Sequence, residues 1–304
     1  MTWFFIALVG TFFYACTNHI DKILLEKYFK GEVGALFLFS ALLSALALPF
    51  LFLADQSVFD VSLNNMLVLV IVAIFHLLVV WFYLIALKHD EASIVIVFYQ
   101  LVPVFAYLLG YLILGETLTK LQLIAMALVI LGTTIISFEI DIDNRFKLRR
   151  KVILPMLAAA FFWAAGGTVF KMVALRENVI RSLFWEHLTL FIAGIVIFIF
   201  IRSYRENFLL VIKKSSKTIL SFNLLNEVLY ISGNIIFSFA YIMAPISLVL
   251  LTDSFQPIFV LAIGIFLTIF FKKITVEKIQ AKHLWQKIFA IIITGIGTYL
   301  LFVS

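Results

Sequence analysis

Ionisable side chains stand inside long apolar stretches of this 304-residue chain, where they destabilise the protein unless protein groups or water surround them. Asp253 lies in the middle of one such stretch, with Gln256 three positions further on. Glu186 and His187 lie about one helical turn inside another. A carboxylate in either place could bind a cationic solute or carry a proton. The alternatives are a buried structural role for Asp253 and a water-exposed interfacial position for Glu186.

Two other stretches carry polar side chains on a single helical face. Asn226, Tyr230 and Asn234 recur every four positions, which places them in one stripe along a helix. Tyr14 and Asn18 have the same spacing near the start of the chain. We predict that both faces line a water-filled cavity. The alternative is that these side chains only hydrogen-bond neighbouring helices.

Five further candidates stand singly or in pairs. They are His19, His76, Tyr99, Gln100 and Trp163. His76 has an apolar background, where it either serves a site or only hydrogen-bonds another helix. Tyr99 and Gln100 precede Pro103, which frees a backbone carbonyl and either exposes it to a solute or only kinks the helix. Trp163 is a candidate for the wall of a cavity, because its ring is large and amphipathic.

The elements that would position these side chains are membrane helices. The chain is 64% hydrophobic and 13% charged, whereas a soluble domain is about half apolar and a quarter charged. The apolar runs are continuous and about 20 residues long, the length at which a helix crosses a bilayer with its backbone groups satisfied internally. We predict an all-α membrane protein with ten transmembrane helices. They would span residues 2–22, 34–53, 66–87, 92–114, 119–138, 153–174, 182–201, 218–242, 246–271 and 285–303.

The ten runs form two sets of five that repeat each other. The repeat has a constant shift of 154 positions (257 − 103 = 154), at which Ser93, Pro103, Phe105 and Gly110 are followed by Ser247, Pro257, Phe259 and Gly264. Because five is odd, the second set must enter the membrane from the opposite side, which predicts an inverted-topology repeat with a cavity between the halves. The predicted repeats span residues 1–143 and 144–304, in one membrane domain. In this alignment Tyr99 matches Asp253, so the second half is expected to carry a charge that the first half lacks.

Several short motifs resemble those of the EamA family, in the drug/metabolite transporter superfamily. They are PheTyrAla at 13–15 followed by Lys22, PheTrpAla at 162–164 followed by Lys171, AlaLeu at 86–87, Pro103, GlyGluThr at 115–117 and GlyThr at 132–133 and 297–298. The resemblance implies a ten-helix exporter or exchanger of small metabolites, with a cavity lined by the first four helices of each half. Lys22 itself is expected to extend to a membrane interface.

The chain departs from the family pattern in two places. Its second apolar run has Phe39 and Ser40 where the family commonly has an arginine, and the second half has ThrValGlu at 275–277 in place of GlyGlu. The solute of a relative is therefore not carried over.

The orientation in the membrane has two opposed indications. Nearly all of the 23 basic residues lie in or beside connections that follow odd-numbered runs, and only Lys120, Lys171, Arg176 and Arg181 lie on the other side. Because basic residues favour the cytoplasm, this distribution predicts that both termini are outside. The family resemblance implies both termini inside. In either case we expect a bacterial cytoplasmic membrane.

These observations predict a secondary transporter that moves a small metabolite by alternating access at a midplane cavity. Carboxylates with aromatic rings favour an amino acid or organic amine, because ring faces attract cations. A sugar or nucleotide-sugar transporter, a lipid-modifying membrane enzyme and a passive channel are the alternatives. Proton or counter-solute coupling is possible, and no nucleic-acid partner is expected. The sequence has no phosphate-binding glycine loop, HisGluXaaXaaHis or CysXaaXaaCys motif, so we expect neither a cofactor nor a metal ion.

Overall fold

The computed structural model describes residues 2–90, 92–138, 150–214, 216–270 and 284–303, and these ranges contain helices and turns but no strand. The elements are α1 (Thr2–Tyr28), α2 (Val33–Ala54), α3 (Leu63–His89), α4 (Ile96–Leu114), α5 (Lys120–Phe138), α6 (Lys151–Glu177), α7 (Val179–Phe200), α8 (Arg202–Lys214), α9 (Ile219–Tyr241), α10 (Ile246–Leu267) and α11 (Leu284–Val303). The all-helical prediction is confirmed for the described ranges.

Eight of these helices are long and apolar enough to cross a membrane. They are α1, α2, α3, α4, α6, α7, α9 and α10. The predicted runs at 119–138 and 285–303 correspond to α5 and α11, whose apolar parts, Lys120–Ile135 and Ile292–Val303, are shorter. Large apolar side chains such as Leu112 and Phe200 face outwards, at 75% and 78% exposure. This outer surface suits lipid, and the protein is an integral membrane protein.

Local sequence determines where several helices begin and end. The Ser62 hydroxyl accepts a hydrogen bond from the Asn65 backbone N–H at the start of α3, and Asn178 does the same for Ile180 at the start of α7. Such N-cap side chains satisfy backbone donors that the first turn leaves free. At the end of α4, Gly115 adopts a φ of 68°, the left-handed conformation that terminates helices and favours glycine.

Two of the proline-containing helices, α4 and α10, narrow to a 3₁₀ helix just before the proline. In α4 the segment Ile96–Leu101 is a 3₁₀ helix that ends two residues before Pro103. In α10 the segment Thr252–Phe255 is also 3₁₀ and ends two residues before Pro257. Tyr99 and Asp253 lie within these tightened turns, so their side chains leave the helices where the regular geometry is interrupted.

The connection between α7 and α9 contains a helix that the sequence did not predict. The charged segment that we expected to be a plain connection forms the amphipathic helix α8. Its Tyr204 ring stacks on Trp81 at 5.8 Å, and its Phe208 ring lies 4.4 Å from Phe39. The charged residues obscured the helix, although Tyr204, Phe208 and Val211 follow each other at helical spacing and form an apolar face.

The long helices pack in pairs across the middle of the molecule. Helix α1 packs on α9, α3 packs on α6, and α5 packs on α11. The α5–α11 contact is close at Gly297, where a Cβ atom would lie 2.9 Å from the Ala125 carbonyl oxygen and 2.9 Å from the Val129 backbone nitrogen. Because neither backbone atom can turn aside, only glycine fits at this point.

We therefore expect Gly297→Ala to destabilise the protein by about 1–3 kcal/mol, the usual effect of overpacking. Gly295 provides a matched control on the same helix, since a Cβ atom there would meet no atom of the described residues within 4 Å. Thermal unfolding in detergent should show a lower midpoint for Gly297→Ala and an unchanged or higher midpoint for Gly295→Ala, because alanine favours a helix over glycine. Equal midpoints for the two variants would contradict the close α5–α11 contact.

Candidate functional site

A cavity of about 930 Å³ of atom-free space, part of it open to solvent, lies between the packed helix pairs. Helices α1, α2, α3, α7 and α9 surround it, and the tightened turns of α4 and α10 close it together with α6. Ten of the predicted site residues line this cavity. They are Tyr14, Asn18, His76, Tyr99, Trp163, His187, Asn226, Tyr230, Asp253 and Gln256.

Three carboxylates line the cavity. Asp253 is 3% exposed and accepts hydrogen bonds from Trp163 Nε1 at 2.9 Å and from the Thr11 hydroxyl at 3.4 Å. Asp21 accepts a hydrogen bond from Asn226 Nδ2 at 2.7 Å. Glu227 is 4% exposed. Among the described residues that line the cavity there is no lysine or arginine, so its charged side chains are acidic.

Aromatic rings form much of the remaining wall. The Tyr14 ring lies 5.5 Å from the Trp163 ring and 5.4 Å from the Tyr230 ring. The rings of Tyr83 and Tyr99 stack at 6.3 Å. Ring faces carry partial negative charge and attract cations, so the aromatic wall and the carboxylates favour the same kind of ligand.

Some buried polar atoms at the cavity have no hydrogen-bond partner within the described part of the chain. These atoms are Tyr14 Oη, Asn18 Nδ2 and Asn226 Oδ1. The other polar atom of Asn18, Oδ1, accepts a hydrogen bond from the Tyr83 hydroxyl at 2.9 Å. Because buried polar atoms are almost always hydrogen-bonded, the unpaired ones are available to water or to a polar solute.

A second, smaller cavity of about 340 Å³ lies on the other side of His76 and Trp163, which line both cavities. Glu186 and Asn234 line this second cavity and do not line the first. Glu186 is 3% exposed, and its Oε1 lies 3.0 Å from His76 Nδ1. His76 Nε2 is in turn 2.5 Å from the Tyr230 hydroxyl. The side chain of His76 is therefore part of the wall between the cavities.

Two predicted site residues lie away from both cavities. His19 Nε2 donates a hydrogen bond to the Val260 carbonyl at 2.8 Å, which ties α1 to α10. Gln100 donates to the Ser254 carbonyl at 3.0 Å and accepts from the Thr133 hydroxyl at 2.9 Å. In these positions both side chains connect helices.

The two motif lysines bind the ends of helices. Lys22 donates to the Leu87 and Asp90 carbonyls at 3.0 and 2.6 Å, where α3 ends, and its extension to a membrane interface stays a prediction. Lys171 donates to the Ala244 carbonyl beyond the end of α9 at 2.6 Å. Helix C-termini expose carbonyls without partners and carry partial negative charge, which favours an ammonium group there, and Lys171 also pairs with Glu116.

Sequence reasoning missed several side chains at the cavity, of which Asp21 and Glu227 matter most. Asp21 follows Tyr14 and Asn18 at the next turn of the same helical face, so the periodicity carried the signal. Its position beside Lys22 suggested the end of a membrane helix instead. Glu227 directly follows Asn226 and is rotated about 100° from it around the helix, so it lies outside the stripe of Asn226, Tyr230 and Asn234.

Comparison with known proteins identifies a transporter family for the first half of the chain. Residues 1–138 match the EamA-like transporter family, which belongs to the drug/metabolite transporter superfamily. This match confirms the resemblance seen in the motifs. A solved crystal structure of another protein is 16% identical, covers 97% of this chain and 96% of its own, and aligns with a TM-score of 0.62. At that identity the likeness establishes a shared fold alone. No curated protein matches the chain.

Proposed function

We propose, from the EamA-like transporter match over residues 1–138, that this protein is a secondary transporter of small organic cations in a bacterial cytoplasmic membrane. The observation that supports this most directly is the composition of the main cavity. It combines Asp21, Glu227 and Asp253 with aromatic walls, and its described lining contains no lysine or arginine. An ammonium group would find both carboxylate partners and ring faces there.

Of the two solute classes that the sequence favoured, the amine fits the cavity better than the amino acid. An amino acid brings its own carboxylate, which would lie among three acidic side chains, and the described lining offers no lysine or arginine to pair with it. Burying an unpaired charge is strongly unfavourable. Phosphorylated solutes such as nucleotide sugars carry still more negative charge and fit less well for the same reason.

We propose that the mechanism is alternating access between two five-helix halves, whose predicted boundary lies near residue 143. The helix pairs support it, because exchanging the halves converts the α1–α9 contact into the α3–α6 contact and leaves α5–α11 unchanged. The lysines follow the same exchange. Lys22 binds the Asp90 carbonyl, and its repeat equivalent Lys171 binds the Ala244 carbonyl, which is the equivalent of Asp90.

Some equivalent residues also touch each other. Gln100 contacts Ser254, and His76 contacts Tyr230, each pair being separated by the 154 residues of the repeat. Equivalent residues can meet only close to the axis that relates the two halves. These contacts support an axis between the cavities, near the middle of the membrane.

A lipid-modifying enzyme, the main alternative, would use Glu186, His187 and Asp253 together. Glu186 lines the second cavity, whereas His187 and Asp253 line the first. Their separation into two cavities favours transport over a single reaction centre.

The test is counterflow into proteoliposomes with a matched pair of solutes. Phenylethylamine and phenylalanine share a ring and an ammonium group, and phenylalanine adds a carboxylate. We expect saturable exchange of phenylethylamine and at least about tenfold weaker competition by phenylalanine, since about 1.4 kcal/mol suffices for that ratio. Equal or stronger competition by phenylalanine would contradict the proposed solute class. Absence of counterflow for any amine would contradict the proposed transporter.

A further inference from the structure

His76 connects an acidic side chain in the second cavity to a hydroxyl in the main cavity. Its Nδ1 lies 3.0 Å from Glu186 Oε1, and its Nε2 lies 2.5 Å from the Tyr230 hydroxyl. His76 and Glu186 are 8% and 3% exposed. Tyr230 lines the main cavity, in which Asp21, Glu227 and Asp253 lie. Glu186, His76 and Tyr230 therefore form one hydrogen-bonded row between the cavities.

The direction of the Tyr230 hydrogen bond depends on the protonation of His76. In the neutral ring with its proton on Nδ1, that nitrogen donates to Glu186 and Nε2 is an acceptor, so the Tyr230 hydroxyl must donate to Nε2. The lone pairs of the Tyr230 oxygen are then left for the cavity. In the imidazolium both nitrogens donate, so the Tyr230 oxygen accepts from Nε2 and its own proton must point elsewhere.

We propose that the His76–Glu186 pair is a proton-binding site distinct from the solute site, and that Tyr230 makes proton and cationic solute exclude each other. An ammonium group needs acceptors, so it binds next to the Tyr230 lone pairs when His76 is neutral. It is repelled by the hydroxyl proton when His76 is charged. The charge of the pair acts in the same direction, because a neutral ring beside the Glu186 carboxylate leaves one negative charge and the imidazolium cancels it.

The chemical step is a simple proton exchange. One N–H bond forms at His76 Nε2 when a proton is taken up from water, and the same bond breaks when solute binds and the proton returns to water. Tyr230 keeps its own proton throughout. Proton and solute thus occupy the protein alternately, which couples their movement in opposite directions. This inference rests on the proposed function, because it assumes a cationic solute in the main cavity.

Other ionisable groups face the same two cavities. Among the described residues they are Tyr14 and Asp21 on α1, Tyr83 on α3, Tyr99 on α4, His187 on α7, Glu227 and Tyr241 on α9 and Asp253 on α10. Helices α2 and α6 contribute the hydroxyls of Ser40 and Ser44 and the indole of Trp163. The three carboxylates could also release protons when a cation binds. The test must therefore compare variants that differ only in the row from Glu186 to Tyr230.

The experiment measures the protons released when phenylethylamine saturates the purified, full-length protein in weakly buffered detergent solution. A pH-indicator dye reports release, and calorimetry reports binding of the amine. We expect His76→Gln, which keeps polar groups but cannot be protonated, to release about one proton fewer per bound amine than the wild type. Tyr230→Phe should show the same deficit, because it keeps the ring but removes the hydroxyl that links proton and solute. Ser232→Ala, on the exposed side of α9, is the control that should release as many protons as the wild type.

The outcomes separate this inference from the function on which it rests. If the wild type exchanges phenylethylamine and both variants bind it with undiminished proton release, the proton site is wrong and the transporter stands. If the wild type neither binds nor exchanges any amine, the proposed function fails first. Should His76→Gln fail to fold, Tyr230→Phe and Glu186→Gln decide the question, since each interrupts the row at a different atom.

Discussion

Exchange of phenylethylamine should fall about 10-fold to 100-fold in Asp253→Asn. The carboxylate is 3% exposed, and it lies in the cavity where an ammonium group would bind. Hydrogen bonds to charged groups contribute about 1.5–3 kcal/mol, which corresponds to that range of affinity. Asparagine has nearly the same shape and can still accept from Trp163 or Thr11, so the main change is the loss of negative charge. Counterflow rates and calorimetric affinity, measured on the same preparation, provide the readout.

The control for this prediction is a carboxylate outside the cavity. Glu206→Gln also removes one negative charge, but Glu206 is on α8 and its pair with Arg202 is exposed. Exposed ion pairs contribute little, so exchange by this variant should stay within about twofold of the wild type. If Asp253→Asn binds phenylethylamine as tightly as the wild type does, Asp253 has a structural role and the solute is held elsewhere.

The second large effect is expected on stability, in Lys171→Met. The side chains of Lys171 and Glu116 are 6% and 19% exposed, and the Lys171 ammonium lies 2.5 Å from Glu116 Oε1, while Glu116 Oε2 accepts from the Ile246 backbone N–H at 2.7 Å. Removing one partner of a buried ion pair leaves the other charge uncompensated, which typically costs about 3–5 kcal/mol. We therefore expect a large decrease in the midpoint of thermal unfolding in detergent.

Two further variants distinguish the contribution of the Lys171–Glu116 ion pair to stability from that of the hydrogen bond between Lys171 and the Ala244 carbonyl. Adding Glu116→Gln to Lys171→Met should restore part of the lost stability, because it removes the uncompensated charge. Lys22→Met, at the equivalent position, should cost less, since Lys22 is 18% exposed and its partner Glu26 is 62% exposed. Equal losses for the two lysine variants would contradict the importance of the buried pair and would assign the effect to the helix ends alone.

Much of the fold could be predicted because each membrane helix corresponds to a continuous apolar run in the sequence. Such a run can be recognised without knowing which helices pack against it. Eight of the ten predicted runs are helices of spanning length and hydropathy. Helix α8 was missed because its charged residues interrupt any continuous apolar run, although its apolar residues recur at helical spacing. Trp81 and Phe39, which cover Tyr204 and Phe208, are far away in sequence.

Residues that line the main cavity could be predicted where one helical face carried a repeated polar spacing. Tyr14 with Asn18, and Asn226 with Tyr230, line the main cavity as the four-residue spacing predicted. Single polar residues gave no such information. His19 directly follows Asn18, but it is rotated about 100° around the helix and meets the backbone of α10 instead of the cavity. Which neighbour a face meets is decided by packing, and the spacing alone does not contain it.

Under the alternating access that we propose, helix α8 would make the two conformations of the protein differ in stability. The equivalent connection in the first half, residues 55–62, is a short turn held by Arg181 and Trp185. If the two halves exchanged conformations, the protein would not return to the same free energy. Only the second half has the additional helix α8, which packs on α2. The inward-open and outward-open populations are expected to be unequal even without a solute or a gradient, and trimming the contacts of α8 would shift that balance.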